Sequence, residues 1–364
     1  MPAKKKNTPA KKPVTSRKIK TKPETSDTEK MFRELFGEGA QVDDVLQISF
    51  DDIEPGKQKN ESVTTYRPNE FLKTGDRISN DIVKGFREGA AVYKANKKTA
   101  QGIEPIVTRV SFAYKNVDIF SPKDGDDKGF TSLDKEVHDA VVSLYAAGNK
   151  VFSPAMVYRT MAGKNDSAFV PHEKIQEITA SIYKSMSSII TIDASEEASF
   201  YGLDAMYSQN LIYAKAVTLK TKGWEVNAFM LIDEPVLFKY AKLKRQIFSV
   251  PLRVLDTPPS KTNEVIVLQG YLVRIVESLR ISSSTTANTI LYSTLYELLD
   301  CVGATKQKLL RIRGHVKSIL DYWVEIGYIK GYRETVQDRA KYSIELDVPV
   351  DKYLPKALED ISVD

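Results

Sequence analysis

Between Thr305 and Leu346 the chain sets a helical apolar stripe, a glycine and two β-rich runs in immediate succession, and few folds accept that order. Thr305 is placed to cap a helix, its hydroxyl accepting from a free amide of the first turn. Apolar residues then recur at Leu309, Ile312, Val316, Ile319, Leu320, Trp323 and Ile326, a helical spacing with one buried stripe. Gly327 stands where a left-handed C-cap is wanted. Tyr328 to Tyr332 and Lys341 to Leu346 follow as strands, around the polar tip Glu334-Thr335-Val336-Gln337-Asp338.

Helix, glycine, strand, polar tip, strand is the order of a winged helix, with its recognition helix followed by its wing. With the stripe inward, Gln307, Arg311, Gly314 and Ser318 point outward, and Lys306, Arg313 and Lys317 flank them. No acid occurs from Thr305 to Leu320. Glycine costs about 1 kcal/mol against alanine in an exposed helix, so Gly314 invites a reason, and close approach of a DNA backbone is one. An ordinary core helix with a solvated basic face has the same composition. The wing cations Lys330, Arg333, Arg339 and Lys341 are what point to DNA.

A second, earlier unit repeats the pattern. Leu133, Val137, Ala140, Val141 and Leu144 form a helical stripe that Gly148-Asn149 ends. Val151-Phe152 is a short extended link, and Ser153-Pro154 opens a helix through Met161 with an N-cap and a first-turn proline. Pro171 starts a longer helix with Ile175, Ile178, Ile182, Met186 and Ile189 on one face. Ile189 to Ile192 reads as a strand, and Leu211 to Lys220 pairs with Trp224 to Ile232 across Thr221-Lys222-Gly223. Outward positions of the long helix are Glu173, Gln176, Glu177, Ala180, Ser181 and Lys184. Gln176 and Lys184 are its candidate DNA contacts. Its two acids would repel phosphates, although Glu can accept from a cytosine amino group, so a homodimer paired through this unit or a supporting backbone contact stands beside base readout.

The fold class expected is α+β, with tandem winged-helix domains behind a disordered basic N-terminal tail. The divisions are 1–30 as the tail, 31–104 as a mixed region, 105–255 as the first winged helix and 256–262 as a Pro-rich linker. The second winged helix takes 263–350, opened by a helix from Asn263 to Leu279, and 351–364 form a C-terminal tail. Within 31–104, a short helix is expected at Met31 to Phe36 and another from Asn80 to Lys98, and Ile106 to Tyr114 reads as a strand.

Charge sharpens this division. Nine Lys or Arg stand in the first 22 residues without an acid, which leaves 44 basic against 48 acidic residues in the rest. The tail cannot bury apolar surface and suits counterion release on DNA or simple solubilisation. The body carries no general excess of positive charge, so nucleic-acid contact must be focused on patches.

Chemistry is expected to be absent. The chain lacks a G-x-x-x-x-G-K-[ST] loop, and His138, His172 and His315 stand apart. Rolling-circle nucleases cluster histidines on a metal; nothing here does. Arg313, His315 and Tyr322 fall within one short helix, too close together for a tyrosine recombinase, and Asp126-Asp127 and Glu196-Glu197 read as solvated loops. His138 lies on a mostly polar helix side as a structural or solvent-exposed residue. The lone Cys301 excludes an internal disulfide and a cysteine cage. No cofactor, metal or catalytic residue is expected. The basic start lacks the apolar core of a secretory signal and no run approaches a membrane span, which gives a cytoplasmic protein without membrane contact.

Three segments, Leu133 to Met161 (LDKEVHDAVVSLYAAGNKVFSPAMVYRTM), Ser260 to Leu279 (SKTNEVIVLQGYLVRIVESL) and Ile319 to Tyr332 (ILDYWVEIGYIKGY), resemble replication initiators of bacterial plasmids and mobile elements built from two winged-helix domains. The likeness spans roughly residues 105 to 346. It implies a sequence-specific DNA-binding protein that recognises origin repeats in double-stranded DNA and recruits a host helicase or helicase loader. It also implies base readout by the second domain, on Gln307, Arg311 and their flanks, with dimerisation or half-site contact by the first. A winged-helix transcriptional regulator is the alternative.

Overall fold

Two helices that each open a three-helix unit, Ser132–Ala146 (α2) and Asn263–Ile281 (α7), pack against one another at the centre of the molecule. The computed structural model describes residues 65–84, 88–99, 102–114, 129–199, 206–221, 224–281, 288–337 and 341–349, all within one compact unit. The architecture is α+β.

Each unit repeats the same order. In the first, α2 is followed by strand Val151–Phe152 (β4), helices Pro154–Met161 (α3) and His172–Ser187 (α4), and strands Ala214–Thr221 (β7) and Trp224–Leu231 (β8). In the second, α7 is followed by Thr289–Leu291 (β10), Tyr292–Leu298 (α8), Lys306–Glu325 (α9), Gly331–Gln337 (β11) and Lys341–Asp347 (β12). The sheets match as well, β4-β8-β7 in one and β10-β12-β11 in the other, with the last strand in the middle and every pair antiparallel. Both units have the winged-helix topology.

The local signals act as expected at several points. The hydroxyls of Ser153 and Thr305 accept from Met156 N and Lys308 N, each at 3.3 Å. Gly148 and Gly327 take φ of +92° and +72° after their helices, a conformation costly to any residue with a Cβ. Ile312, Val316, Ile319, Leu320 and Trp323 are buried, with Leu309 and Ile326 half-buried at the ends of the stripe.

Four elements differ from expectation. The helix expected over Asn80 to Lys98 is a short helix, Arg77–Asp81 (α1), then a strand, Glu88–Thr99 (β2). Its Ala and Lys are good helix formers, but pairing along its whole length with Gly102–Tyr114 (β3) outweighs that local preference. Ser188–Asp193 (β5) belongs to no wing: with the short helix Ser195–Ser199 (α5) and Met206–Asn210 (β6) it lies between α4 and its wing, and the two strands join β2 and β3 in a separate sheet, β2-β3-β5-β6. The polar tip of the second wing is shorter than expected, because β11 runs on through Val336 to Gln337 opposite Lys341. Lastly, Glu70–Thr74 (β1), in a stretch with no element expected, pairs with Ile247–Pro251 (β9) beside helix Val236–Leu243 (α6). The expected helix at Met31 to Phe36 and both tails lie outside the described residues.

One apolar core runs through both units, from Val141, Ile182 and Phe229 to Leu268, Val273, Trp323 and Ile344. The inserted sheet has its own smaller core of Ile78, Val110, Phe112, Ile190, Ile192 and Leu237. Within the segment 256–262, expected as a linker, Thr257 and Lys261 are buried while Asp256, Pro258, Ser260 and Thr262 are exposed. The Lys261 ammonium lies 2.5 Å from Leu255 O, 2.7 Å from Thr257 Oγ1 and 3.2 Å from Gln269 Oε1. Just before it, Val254 O accepts from Trp323 Nε1 at 2.9 Å and Gln269 Nε2 at 3.1 Å.

The polar side of α2 is buried as deeply as its apolar stripe. Lys73 of β1 reaches Glu136 at 2.6 Å and Asp139 at 3.5 Å, and Lys135 reaches Asp139 at 2.8 Å. Burial works to raise both carboxyls. At Glu136 it wins over the attraction of Lys73; at Asp139, Lys135 and Lys73 together hold the carboxyl far below its ordinary range. His138 is fully buried beside them, its Nδ1 3.7 Å from Asp139; of the two readings of its helix side, solvent exposure is excluded.

Candidate nucleic-acid interface

The outer side of α9 is exposed and carries no acid of its own from Lys306 to Leu320, before Asp321 and Glu325 close the helix. Thr305, Lys306, Gln307, Arg311, Gly314 and Lys317 are exposed, and Ser318 is half-buried. A Cβ added at Gly314 would meet nothing within 4 Å, so no neighbour within the described chain requires glycine there.

Arg313 is not on that face. Its Nε donates to Tyr296 Oη at 2.8 Å, and its guanidinium carbon sits 3.6 Å from the centre of the Tyr342 ring and 5.3 Å from that of Tyr292. It ties α9 to α8 and to the wing strand β12, in a stacked and hydrogen-bonded setting that suits the planar guanidinium. Arg313, expected as a DNA flank, is thus engaged within the protein.

Lys184, expected as a DNA contact, is engaged likewise. It points inward to Asp134 at 2.8 Å, with little exposure of either side chain. Ser181, read as outward, is buried, whereas Gln176 is exposed. Of the two acids on α4, Glu173 is exposed and Glu177 is paired with Lys174 at 2.6 Å.

In the wing, Lys330 is exposed at the entrance to β11. Arg333 is 73% exposed and paired across the hairpin with Glu345 at 2.6 Å, which pulls the Glu345 carboxyl below its ordinary range. Lys341 opens β12, and Arg339 lies outside the described residues. The wing is braced on α9 by Tyr332, whose hydroxyl donates to Asp321 at 2.6 Å, and on β10–α8 by Tyr292, which donates to Glu334.

An acid does reach the outer side of α9, from another helix. Glu264, in the first turn of α7, holds Arg311 Nη2 at 2.9 Å with one carboxylate oxygen and Lys308 Nζ at 3.4 Å with the other. Asn263 beside it accepts from Lys174 of α4 at 2.7 Å. Lys174, Thr262, Asn263, Glu264, Arg311 and His315 line an open groove of about 510 Å³ between the first turns of α4 and α7 and the middle of α9. Burial, and then the nearby Arg311, push His315 below its ordinary value, so it adds no firm positive charge at neutral pH. Spacing within α9 could not reveal Glu264, Lys308 or Lys174 as a group, because Glu264 arrives from a helix that begins more than a full element earlier.

Among the described residues, no cluster of His, Cys, Asp and Glu suits a metal ion, and no helix is long and apolar enough to cross a membrane.

No family model and no curated protein matches the chain. Among solved structures it is similar to domains 2 and 3 of RctB, determined as a selenomethionine derivative, at 14% identity and a TM-score of 0.36, over 76% of this chain and 98% of that one. A second crystal structure of RctB domains 2–3 is similar at 13% identity and a TM-score of 0.36, over 75% and 97%.

Proposed function

We propose that the protein is a non-enzymatic, sequence-specific DNA-binding replication initiator of a plasmid or mobile element, acting in the cytoplasm on double-stranded origin repeats. The observation that carries the DNA reading is the exposed, cation-lined outer side of α9, beside a wing that carries Lys330, Arg333, Arg339 and Lys341. Gln307 and Arg311 are the base readers, the pair of side-chain types that suit adenine and guanine edges in a major groove. Lys306, Lys317, Lys330, Arg333, Arg339 and Lys341 hold phosphates, with Thr305 and Ser318 as shorter polar contacts. Gly314 lets the backbone of the duplex come close. Gln176 on α4 supplies a supporting contact, and the first unit pairs two copies of the chain.

Replacing Arg311 with Ala is expected to cost roughly 1–3 kcal/mol on the preferred site and to relax preference at one base position. Unchanged affinity and preference in a gel-shift series would remove Arg311 from the role of reader. Initiation as such rests on the resemblance of the three segments to initiator sequences. It is tested by cloning the gene with its flanking DNA into a vector that cannot replicate. Replication that depends on the reading frame supports initiation and recruitment of a host helicase. Repression of a flanking promoter without replication would instead make the protein a winged-helix regulator.

A further inference from the structure

We infer that Glu264 is the positioning residue that turns Arg311 into a base reader and keeps it off the phosphate backbone. The inference rests on the reading of α9 as the recognition helix and assigns a specificity role to a residue outside that helix.

The geometry is a fixed carboxylate between two cations. One Glu264 oxygen takes Arg311 Nη2 at 2.9 Å and the other faces Lys308 at 3.4 Å. The carboxylate is a quarter exposed while the arginine is a little over half exposed, so the acid sits behind the guanidinium and the rest of the arginine fork faces solvent. Glu264 is itself held. It lies in the first turn of α7, where a negative charge is favoured. Thr262 Oγ1 accepts from Val265 N at 3.3 Å, and Lys174 of the first unit fastens the neighbouring Asn263.

Two consequences follow from charge and shape. A guanidinium has five N–H donors in a rigid fork, and engaging one edge leaves another to meet guanine O6 and N7 with little rotational freedom left to lose. A carboxylate beside that fork also penalises a phosphate, because two anions would share one cation. A wrong contact is therefore discouraged by repulsion while the right one is prepared. Arg311 without Glu264 would be free to swing to the backbone and bind all sequences alike.

The test compares wild type, E264Q, E264D, R311A and the double variant E264Q/R311A, using site selection from a randomised duplex and a salt titration with nonspecific duplex DNA. E264Q keeps the shape and removes the charge. It is expected to lower the ratio of specific to nonspecific binding roughly tenfold, within what one bidentate contact discriminates. Nonspecific affinity should rise, and the log–log salt slope should steepen by about 0.9 as Arg311 gains a phosphate. E264D should recover most of the preference. In the R311A background E264Q should leave base preference unmoved. If R311A loses preference at one base while E264Q retains it, Glu264 has no positioning role and the inference falls alone. If R311A itself keeps wild-type preference, the reading of α9 falls and takes this inference with it.

Discussion

Gly270 of α7 lies directly against the buried carboxylate of Glu136 on α2. A Cβ built on Gly270 would overlap that carboxylate, which cannot swing away because Lys73 holds it at 2.6 Å. Replacing Gly270 with Ala is therefore expected to destabilise the fold by about 1–3 kcal/mol, reduced by the ~1 kcal/mol that alanine gains in a helix. Urea unfolding checks it. A variant as stable as wild type would mean that α2 and α7 can separate at no cost.

Gly314 predicts two effects of opposite sign. A methyl group there meets nothing in the protein, so Gly314→Ala should stabilise the fold by up to ~1 kcal/mol. If a DNA backbone approaches that position, the same change weakens binding. Thermal unfolding and a gel-shift titration on one preparation give both numbers, and a variant that is more stable with undiminished affinity would place the duplex elsewhere.

Arg313 is expected to act through the wing. Arg313→Ala removes the hydrogen bond to Tyr296 and the stack on Tyr342, at a cost of about 1–2 kcal/mol in stability. Its own loss should not reduce the salt slope of DNA binding, since it makes no phosphate contact in this arrangement. A slope lower by about 0.9 with full stability would return Arg313 to the DNA.

Lys261 gives a pH dependence with a definite sign. Burial, with Lys164 adding to it and Asp256 opposing, pushes its ammonium down to about 7, from 10.5 in the open chain. Between those values the unfolded chain carries a proton that the native state has released, so stability rises with pH across the window, by at most ~1.4 kcal/mol per unit. Denaturant midpoints measured from pH 7.5 to 9.5 should climb in the wild type and flatten in Lys261→Met. Parallel slopes in the two proteins would show that Lys261 stays charged in its pocket.

The parts of this fold legible in the sequence are those decided within a few residues. Caps at Ser153 and Thr305, the left-handed glycine at 327 and the stripe from Ile312 to Trp323 each follow from local geometry. What the sequence hid is set by partners far along the chain. The strand Glu88–Thr99 has helix-forming residues and becomes a strand because β3 lies beside it. The charged side of α2 looks solvated until Lys73 and Gly270 are seen to cover it. The candidate site shows the same divide: Thr305, Lys306, Gln307, Arg311, Gly314 and Lys317 emerge on one exposed side of α9 as their spacing requires. The engagement of Arg313 by Tyr296 and Tyr342, and of Lys184 by Asp134, was not legible because those partners come from other elements.

The pairing of β1 with β9 sets an order of events for a chain made from its N-terminus. Glu70 cannot find Pro251 until nearly the whole first unit has been synthesised, and the segment after β9 leads directly into α7. Closing so long a loop is slow. Phe71 and Leu72 stay without their strand partner throughout that interval, while Lys73 has only the α2 carboxylates to meet. A nascent chain of this protein is thus exposed to mispairing for longer than either winged helix alone would require, and the interval closes only once β9 has cleared the ribosome and can reach β1.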